Sequence, residues 1–227
     1  MFRIEALPPQ IDKALLDKLL QAEPATIGHF RHSGFMEPAL RAVIPDRRVA
    51  GTAVTVQCPG ADTTILGYAL GQVRAGDVLV VDRCGDARHA GWGGLVEYAA
   101  KCAGLAGAII DGLATDFGEI REYGVPVWCR GPSAITGKRL GLAGEFCTTI
   151  SCGGVPVRPG DAILADENCI LVLDPADIES VADRAIAMQL AEKEKRARLD
   201  AGEKLPDISG ATEILEKAWT SQNKSGH

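Results

Sequence analysis

The sequence has no long apolar stretch. Its longest purely apolar runs, such as Val78–Val81 and Cys169–Leu173, are of strand length and fall far short of the roughly 20 residues that span a bilayer. It also lacks a basic excess: the formal charge is -6 and the pI is near 5.3, so nothing supplies the stripe that phosphate neutralisation requires, and nucleic acid is excluded as the main partner. No C-x-x-C pair joins the seven cysteines, and no histidine stands at zinc-ligand spacing, which leaves these thiols to behave as small hydrophobes in a reduced, cytoplasmic protein. No internal repeat is present. The N-terminus, MFRIEALPPQIDKALLDKLL, carries charges inside its apolar pattern, so it reads as an amphipathic helix after a proline turn and not as a signal peptide.

What is present is a chain of 227 residues, 46% hydrophobic, enough to bury one sizeable core. After a helix at about 11–22, a second helix is expected over about 27–43, turned near Ser33-Gly34. Then short β-branched runs punctuated by Gly, Pro and Asp take over, at 48–58, 76–82, 107–112, 125–131, 148–157, 161–166 and 169–174, and these read as strands. TTILGYALGQVR (63–74) and GLVEYAAKCAG (94–104) have helical spacing between them. The pattern predicts an α/β fold with a mixed sheet, N-terminal helices and a C-terminal helix from about 175 to 201. It divides into an N-terminal helical segment (1–24), a core (25–175) and a C-terminal helix with a frayed tail (176–227), a single domain overall. Beyond Ala191 the last helix is so charged that a solvated face or a neighbouring subunit is its expected surroundings.

Two features carry candidate chemistry. GWGGL places glycines at 91, 93 and 94 before a helix. Such a turn can reach positive φ and present the amides of Gly93, Gly94 and Leu95 to an anion at the positive end of the helix dipole. Asp116 follows the strand GAIIDG, at the strand end where open α/β sheets place ligands. It reads either as a metal ligand or as the cap of a helix over FGEIREY, with Glu119 completing a capping box. The loop DRCGDARHAGWGG adds Arg83, Arg88 and Asp86, which read as a site wall or as solvated loop charge. His29, after a glycine in ATIGHFRHSGF, reads as an acid, base or metal ligand, or as a histidine satisfied by backbone.

The segments GDVLVVD, GWGGLVEYAAKCAGLAGAIIDGLATD, VPVWCRGPSA and GGVPVRPGDAILADENCILVL, in this order, resemble the RraA-like family, which includes 4-hydroxy-4-methyl-2-oxoglutarate aldolases and takes its name from a regulator of ribonuclease activity. The similarity runs over about 25–202. It implies a compact α/β/β fold assembled as a homotrimer or a dimer of trimers, with sites near subunit interfaces. In the family's aldolases a Gly-Asp-Asn-Leu turn is followed, after twenty residues, by Arg-Asp. The last Asp holds a divalent metal and the Arg grips the substrate. Counted onto this chain, the turn Asp is Gly94, the Arg is Thr115, and the metal ligand is Asp116.

The resemblance therefore implies a divalent-metal-dependent lyase, of aldolase or decarboxylase type, acting on a small oxo- or hydroxy-carboxylic acid. Asp116 would hold Mg or Mn, Gly93, Gly94, Leu95 and Thr115 would bind substrate, and His29, Arg83 or Asp86 would move protons or balance charge. ATIGHFRHSGF also resembles a subgroup of the family that pairs Gly-His here with Thr-Asp. The substitutions at 94 and 115 keep two alternatives open, a non-catalytic protein-binding regulator and an enzyme of altered substrate such as a hydrolase.

Overall fold

A computed structural model of the chain describes residues 1–224, with side-chain surroundings to residue 222. In chain order the elements are β1 (Phe2–Ile4), α1 (Lys13–Leu19), α2 (Pro24–Ile27), β2 (Arg41–Ala42), β3 (Val49–Gln57), α3 (Thr64–Leu70), β4 (Asp77–Asp82), β5 (Ala90–Trp92), α4 (Gly94–Ala103), β6 (Gly107–Ala114), α5 (Phe117–Tyr123) and β7 (Val127–Pro132). They continue with β8 (Gly144–Phe146), β9 (Ile150–Cys152), β10 (Val155–Val157), β11 (Ala162–Ala165), β12 (Ile170–Leu173), α6 (Ile178–Asp200), α7 (Leu205–Ser209) and α8 (Ala211–Lys224).

Four strands, β3-β4-β6-β7, form a parallel block, in register through pairs such as Val54 with Leu79, Leu79 with Ala108 and Ile109 with Trp128. Their near-continuous apolar runs reflect burial on both faces, as a parallel sheet demands. Alternate side chains go to opposite sides. Leu79, Val81, Ala108 and Ile110 pack with Ile65 and Leu66 of α3, Ala100 of α4 and Ile120 of α5. Val78, Val80, Ile109 and Trp128 pack with Ile150, Val157, Ile163 and Val172. The result is an α/β/β sandwich of layers. β11 joins the sheet antiparallel to the first half of β3, β8 pairs antiparallel to its end, and β9 with β10 is a separate hairpin, so the sheet is mixed, as the sequence pattern implies.

Three expected elements differ. The strand expected over 148–157 is the hairpin of β9 and β10, turned at Gly153 and Gly154, whose φ values are 54 and 76. The helix expected over about 27–43 does not form: α2 ends at Ile27, and the chain at 34–36 runs along the edge of β12, with Met36 N–H donating to the Ile170 carbonyl and Val172 N–H to the Gly34 carbonyl. Gly34, at φ 88, is pressed against that strand, where a Cβ would lie 2.4 Å from the Val172 carbonyl oxygen. Sheet-edge hydrogen bonds outweigh the local helical pattern here. The tail expected to fray is helical through Lys224 in α8, and Ser225–His227 lie outside the described residues.

The chain divides into two units, Met1–Asp183 and Arg184–His227. In the first lie all the strands. The second holds most of α6 with α7 and α8, and the buried residues of α6 all precede Ile186. α8 exposes Ile214, Leu215 and Trp219.

Candidate functional site

A cavity of roughly 530 Å³ opens at the C-terminal side of the parallel block, where strand ends diverge and leave room for a ligand. Its wall is formed by Ala90–Val96, by Thr115 and Asp116, by Thr63, Leu66 and Gly67 of the α3 region, and by Thr136–Arg139. The glycine turn and Asp116 thus meet in one cavity, as their spacing suggests.

Their local chemistry departs from expectation. None of Gly91, Gly93 and Gly94 has positive φ, and Gly93 is extended at φ -169. Buried or short neighbours crowd Gly91 and Gly93 instead, while the atom nearest Gly94 is the tip of the exposed Glu119 side chain. A Cβ on Gly91 would lie 2.8 Å from Arg83 Nε, one on Gly93 2.7 Å from Thr115 Cγ2 and 2.9 Å from Asp116 Oδ2, and one on Gly94 1.8 Å from Glu119 Oε2. It is Asp116 that sits in the left-handed region, at φ 53, a conformation Asp tolerates better than most residues. There its Oδ2 accepts from the Gly94 amide at 2.9 Å, and Thr115 Oγ1 donates to Oδ1 at 3.2 Å. No side-chain cap of α5 forms. Asp116 therefore caps α4 across the cavity floor, and the Gly94 amide is occupied. The next two amides of α4, those of Leu95 and Val96, have no hydrogen-bond partner among the described residues, which leaves two donors at the positive helix end.

Thr115 lines the cavity with a hydroxyl that donates one hydrogen bond but cannot neutralise a carboxylate. The cationic residues among those of the wall are Lys138 and Arg139, both exposed, in the loop after β7. Among the described residues neither side chain makes an ion pair or hydrogen bond. Their loop is held firmly: Lys138 N–H donates to the Ala61 carbonyl at 2.7 Å, Thr63 N–H to the Lys138 carbonyl at 2.8 Å, and Gly137 N–H to the Ala90 carbonyl at 3.0 Å. Buried Asp62 accepts from the amides of Thr64, Leu140 and Leu142. Burial alone would raise its pKa, yet these donors hold it far below the usual carboxylate range.

Three sequence candidates lie outside the cavity wall. Arg83 is fully buried, with Nη1 donating to the Cys58 carbonyl at 2.8 Å and Nη2 to the Gly60 carbonyl; it braces the sheet behind Gly91 and does not face a ligand. Asp86 accepts from the amides of Arg88 and His89 and from His89 Nδ1 at 2.8 Å. Burial works against its ionised form, but those donors keep its pKa low. It is the staple of its own loop, and Arg88 contributes a backbone amide to it. His29 is an exposed residue just past α2, and the cavity wall does not include it. Asp111 is structural, paired with Arg130 and accepting from the Gly153 amide at 2.7 Å.

Sequence reading missed Lys138 and Arg139, because only the tertiary pairing of their loop with Ala61–Thr63 and Ala90 brings them to the cavity. It also missed Glu97, buried on α4, whose Oε2 accepts from the Trp92 indole N–H at 2.8 Å and whose Oε1 accepts from the Val125 amide at 2.9 Å. A signal was available: Glu97 stands three residues before buried Ala100, on the apolar face of a helix. Burial pushes its carboxyl up to about 7, against the two bonds that favour the ionised form. All seven cysteines are free; Cys58, Cys129, Cys147 and Cys152 are buried, while Cys84 and Cys102 are exposed.

A parallel block sandwiched between helices and a second β layer, with a carboxylate and free helix amides meeting at a cavity by its strand ends, defines the class of an α/β/β protein. The chain belongs to the RraA-like family: the family described as Aldolase/RraA matches residues 14–172. A candidate 4-hydroxy-4-methyl-2-oxoglutarate aldolase of Halalkalibacterium halodurans is 36% identical over 151 residues, which cover 66% of this chain and 71% of that relative. Among solved structures, Streptomyces coelicolor RraAS2, described as an unusual member of the RNase ES inhibitor RraA protein family, superposes with a TM-score of 0.74 at 28% identity. It covers 82% of this chain and 98% of its own. The RNA-processing inhibitor RraA from Thermus thermophilis gives 0.58 at 28% identity, over 62% of this chain and 84% of its own.

Proposed function

We propose that this protein is a divalent-metal-dependent carbon–carbon lyase, of aldolase or decarboxylase type, acting on a small oxo- or hydroxy-acid with two acidic groups. The observation that carries the proposal is the cavity itself, whose wall brings together Asp116, two unpartnered helix amides and two residues with unpaired cationic side chains. No group of three or more His, Cys, Asp or Glu that could hold a metal exists among the described residues. Asp116 would hold Mg or Mn, hard cations that keep several waters and accept one or two carboxylates, and the carboxylate of Glu119 lies near Gly94. A bound Mg or Mn supplies Lewis-acid polarisation of the substrate carbonyl.

The chain's own groups do the rest. The Leu95 and Val96 amides receive one acid group at the helix end, where the dipole favours negative charge. Lys138 and Arg139 receive the second from across the cavity. That division replaces the single guanidinium of the family's aldolases, absent at Thr115, with cations from another loop. The second reading, a protein-binding regulator that has lost the reaction, is favoured by the same replacement and by the regulators among the structural relatives.

Leu95, Tyr98, Ile135, Leu140 and Leu142 are exposed apolar side chains on the elements that line the cavity or flank its wall. They support assembly as a homotrimer or a dimer of trimers. No helix among the described residues is long and apolar enough to cross a membrane, and free thiols suit a reducing compartment, which supports a cytoplasmic location.

Calorimetry of Mg²⁺ and Mn²⁺ binding, together with pyruvate release from oxaloacetate and from 4-hydroxy-4-methyl-2-oxoglutarate, tests the proposal. Wild type should bind metal and release pyruvate, and Asp116→Ala should lose metal affinity and at least about 100-fold of turnover. If wild type binds no metal and Asp116→Ala changes nothing, the lyase reading fails. Metal binding without release from either acid points to a different substrate.

A further inference from the structure

Glu97 is a buried carboxylate whose two oxygens link a residue of the cavity wall, Trp92, to Val125, which lies outside that wall. Its helix begins at the glycine turn, and its side chain is fully buried. Oε2 accepts from the indole of Trp92, which is itself buried and lines the cavity, and Oε1 accepts from the amide of Val125, just before β7. Trp92 in turn presents its carbonyl to the Thr115 amide at 2.8 Å. The carboxylate therefore ties the glycine turn to the segment that enters β7, and the turn to the pair Thr115-Asp116.

Only the ionised form can do this fully. Both partners are N–H donors, and a carboxylate offers an acceptor to each. A protonated carboxyl turns one oxygen into a donor that faces a donor, so one of the two bonds is weakened or lost.

No counter-charge among the described residues is bonded to Glu97. The titratable groups on the elements packed around it are Tyr98, Lys101 and Cys102 of α4, Tyr68 of α3, and Glu119, Arg121, Glu122 and Tyr123 of α5. Lys101 lies 5.7 Å from the Tyr123 ring, Arg121 5.9 Å from the Phe117 ring, and Glu119 over Gly94. None of the eight forms a hydrogen bond or ion pair with Glu97. A buried acid without an opposite charge resists ionisation.

We infer that Glu97 is a positioning residue: bonded to the Trp92 indole and the Val125 amide, its carboxylate holds the cavity wall in its ligand-binding shape and releases that wall on protonation. Burial brings its titration to about 7. The wall is then set above neutrality and loosened below it, and the cavity's affinity follows the ionised fraction, which changes about tenfold between about pH 6 and about pH 8 for such a group. The ligand arm of the test rests on the lyase reading of the cavity; the indole arm does not.

Two measurements on the full chain decide it. The ¹⁵N–¹H indole signal of Trp92, assigned by its loss in Trp92→Phe, is followed from about pH 5.5 to about pH 8.5 without ligand. Oxalate, which keeps both charges over this range, is titrated calorimetrically in the presence of Mg²⁺. The indole signal should shift with a midpoint near neutrality, and oxalate should bind about tenfold more weakly at about pH 6 than at about pH 8. Glu97→Gln should bind weakly at both and keep a fixed indole signal. A wild-type indole signal that stays flat, or a Glu97→Gln protein that keeps the wild-type pH dependence, overturns the inference. If oxalate binds at no pH, the lyase reading fails while the indole titration alone still decides the role of Glu97; if the Gln variant does not fold, the wild-type titration carries the decision.

Discussion

Gly112 shows how a single residue acts here through the space it leaves. A Cβ at that position would lie 2.5 Å from Arg83 Cγ and 2.9 Å from Arg83 Cβ. The Arg83 side chain cannot yield, since it is fully buried and its guanidinium is bonded to the carbonyls of Cys58 and Gly60. Overpacking of a filled interior costs about 1–3 kcal/mol, and losing the Arg83 bonds adds to it. Gly112→Ala should therefore lower the urea midpoint by the equivalent of about 2 kcal/mol or more, with the slope of the transition unchanged. Were Gly112→Ala as stable as wild type, Arg83 would not be the brace described here. A glycine in a sequence signals either a backbone twist or a close neighbour. For Gly91, Gly93 and Gly94 the sequence suggested the twist, while the structure shows the neighbour, because Arg83, Thr115, Asp116 and Glu119 are brought against them by elements remote in the chain.

Among the elements, the loop from Thr136 to Ala143 contributes most to the site and was least legible. It has no apolar periodicity, yet it runs as an extended segment between Ala61–Thr63 and Ala90. Asp62 gathers its second half by accepting from Leu140 and Leu142 at 3.1 and 2.6 Å. Asp62→Ala leaves these amides without their acceptor, and a hydrogen bond to a charged group contributes about 1.5–3 kcal/mol. The loop should then become the first site of limited proteolysis, and the KM for a dianionic acid should rise about tenfold with metal affinity retained. An unchanged KM would separate Lys138 and Arg139 from substrate binding. By contrast, the strands β3, β4, β6, β7, β11 and β12 were legible to within a residue or two, because burial on one or both faces forces apolar, β-branched composition on each of them. The helix expected over about 27–43 failed for the opposite reason: a local pattern cannot reveal that a distant strand edge, β12, has open hydrogen-bonding positions.

For the whole molecule, the cavity wall lies wholly within Met1–Asp183, and the family match ends at residue 172. A chain ending at Leu190 keeps every buried residue of α6 and should retain metal binding within about twofold and a thermal midpoint within a few degrees of the full chain. Light scattering of the two forms will show whether α7 and α8, with exposed Ile214, Leu215 and Trp219, take part in assembly. Loss of metal binding in the shortened chain would mean that the site depends on residues beyond the described cavity.

By itself the sequence determined the α/β class and the places of the main strands along the chain, which rest on periodicity, and, through the resemblance its motifs carry, the family and the pairing of the glycine turn with Asp116. Tertiary structure alone decided which charges face the cavity. It turned Arg83 and Asp86 inward as braces, kept His29 out of the cavity wall, and brought in Lys138, Arg139 and the buried Glu97. Charge and burial are properties of three-dimensional neighbourhood: a guanidinium that meets two carbonyls in the interior becomes structure, while a lysine at a cavity edge stays exposed.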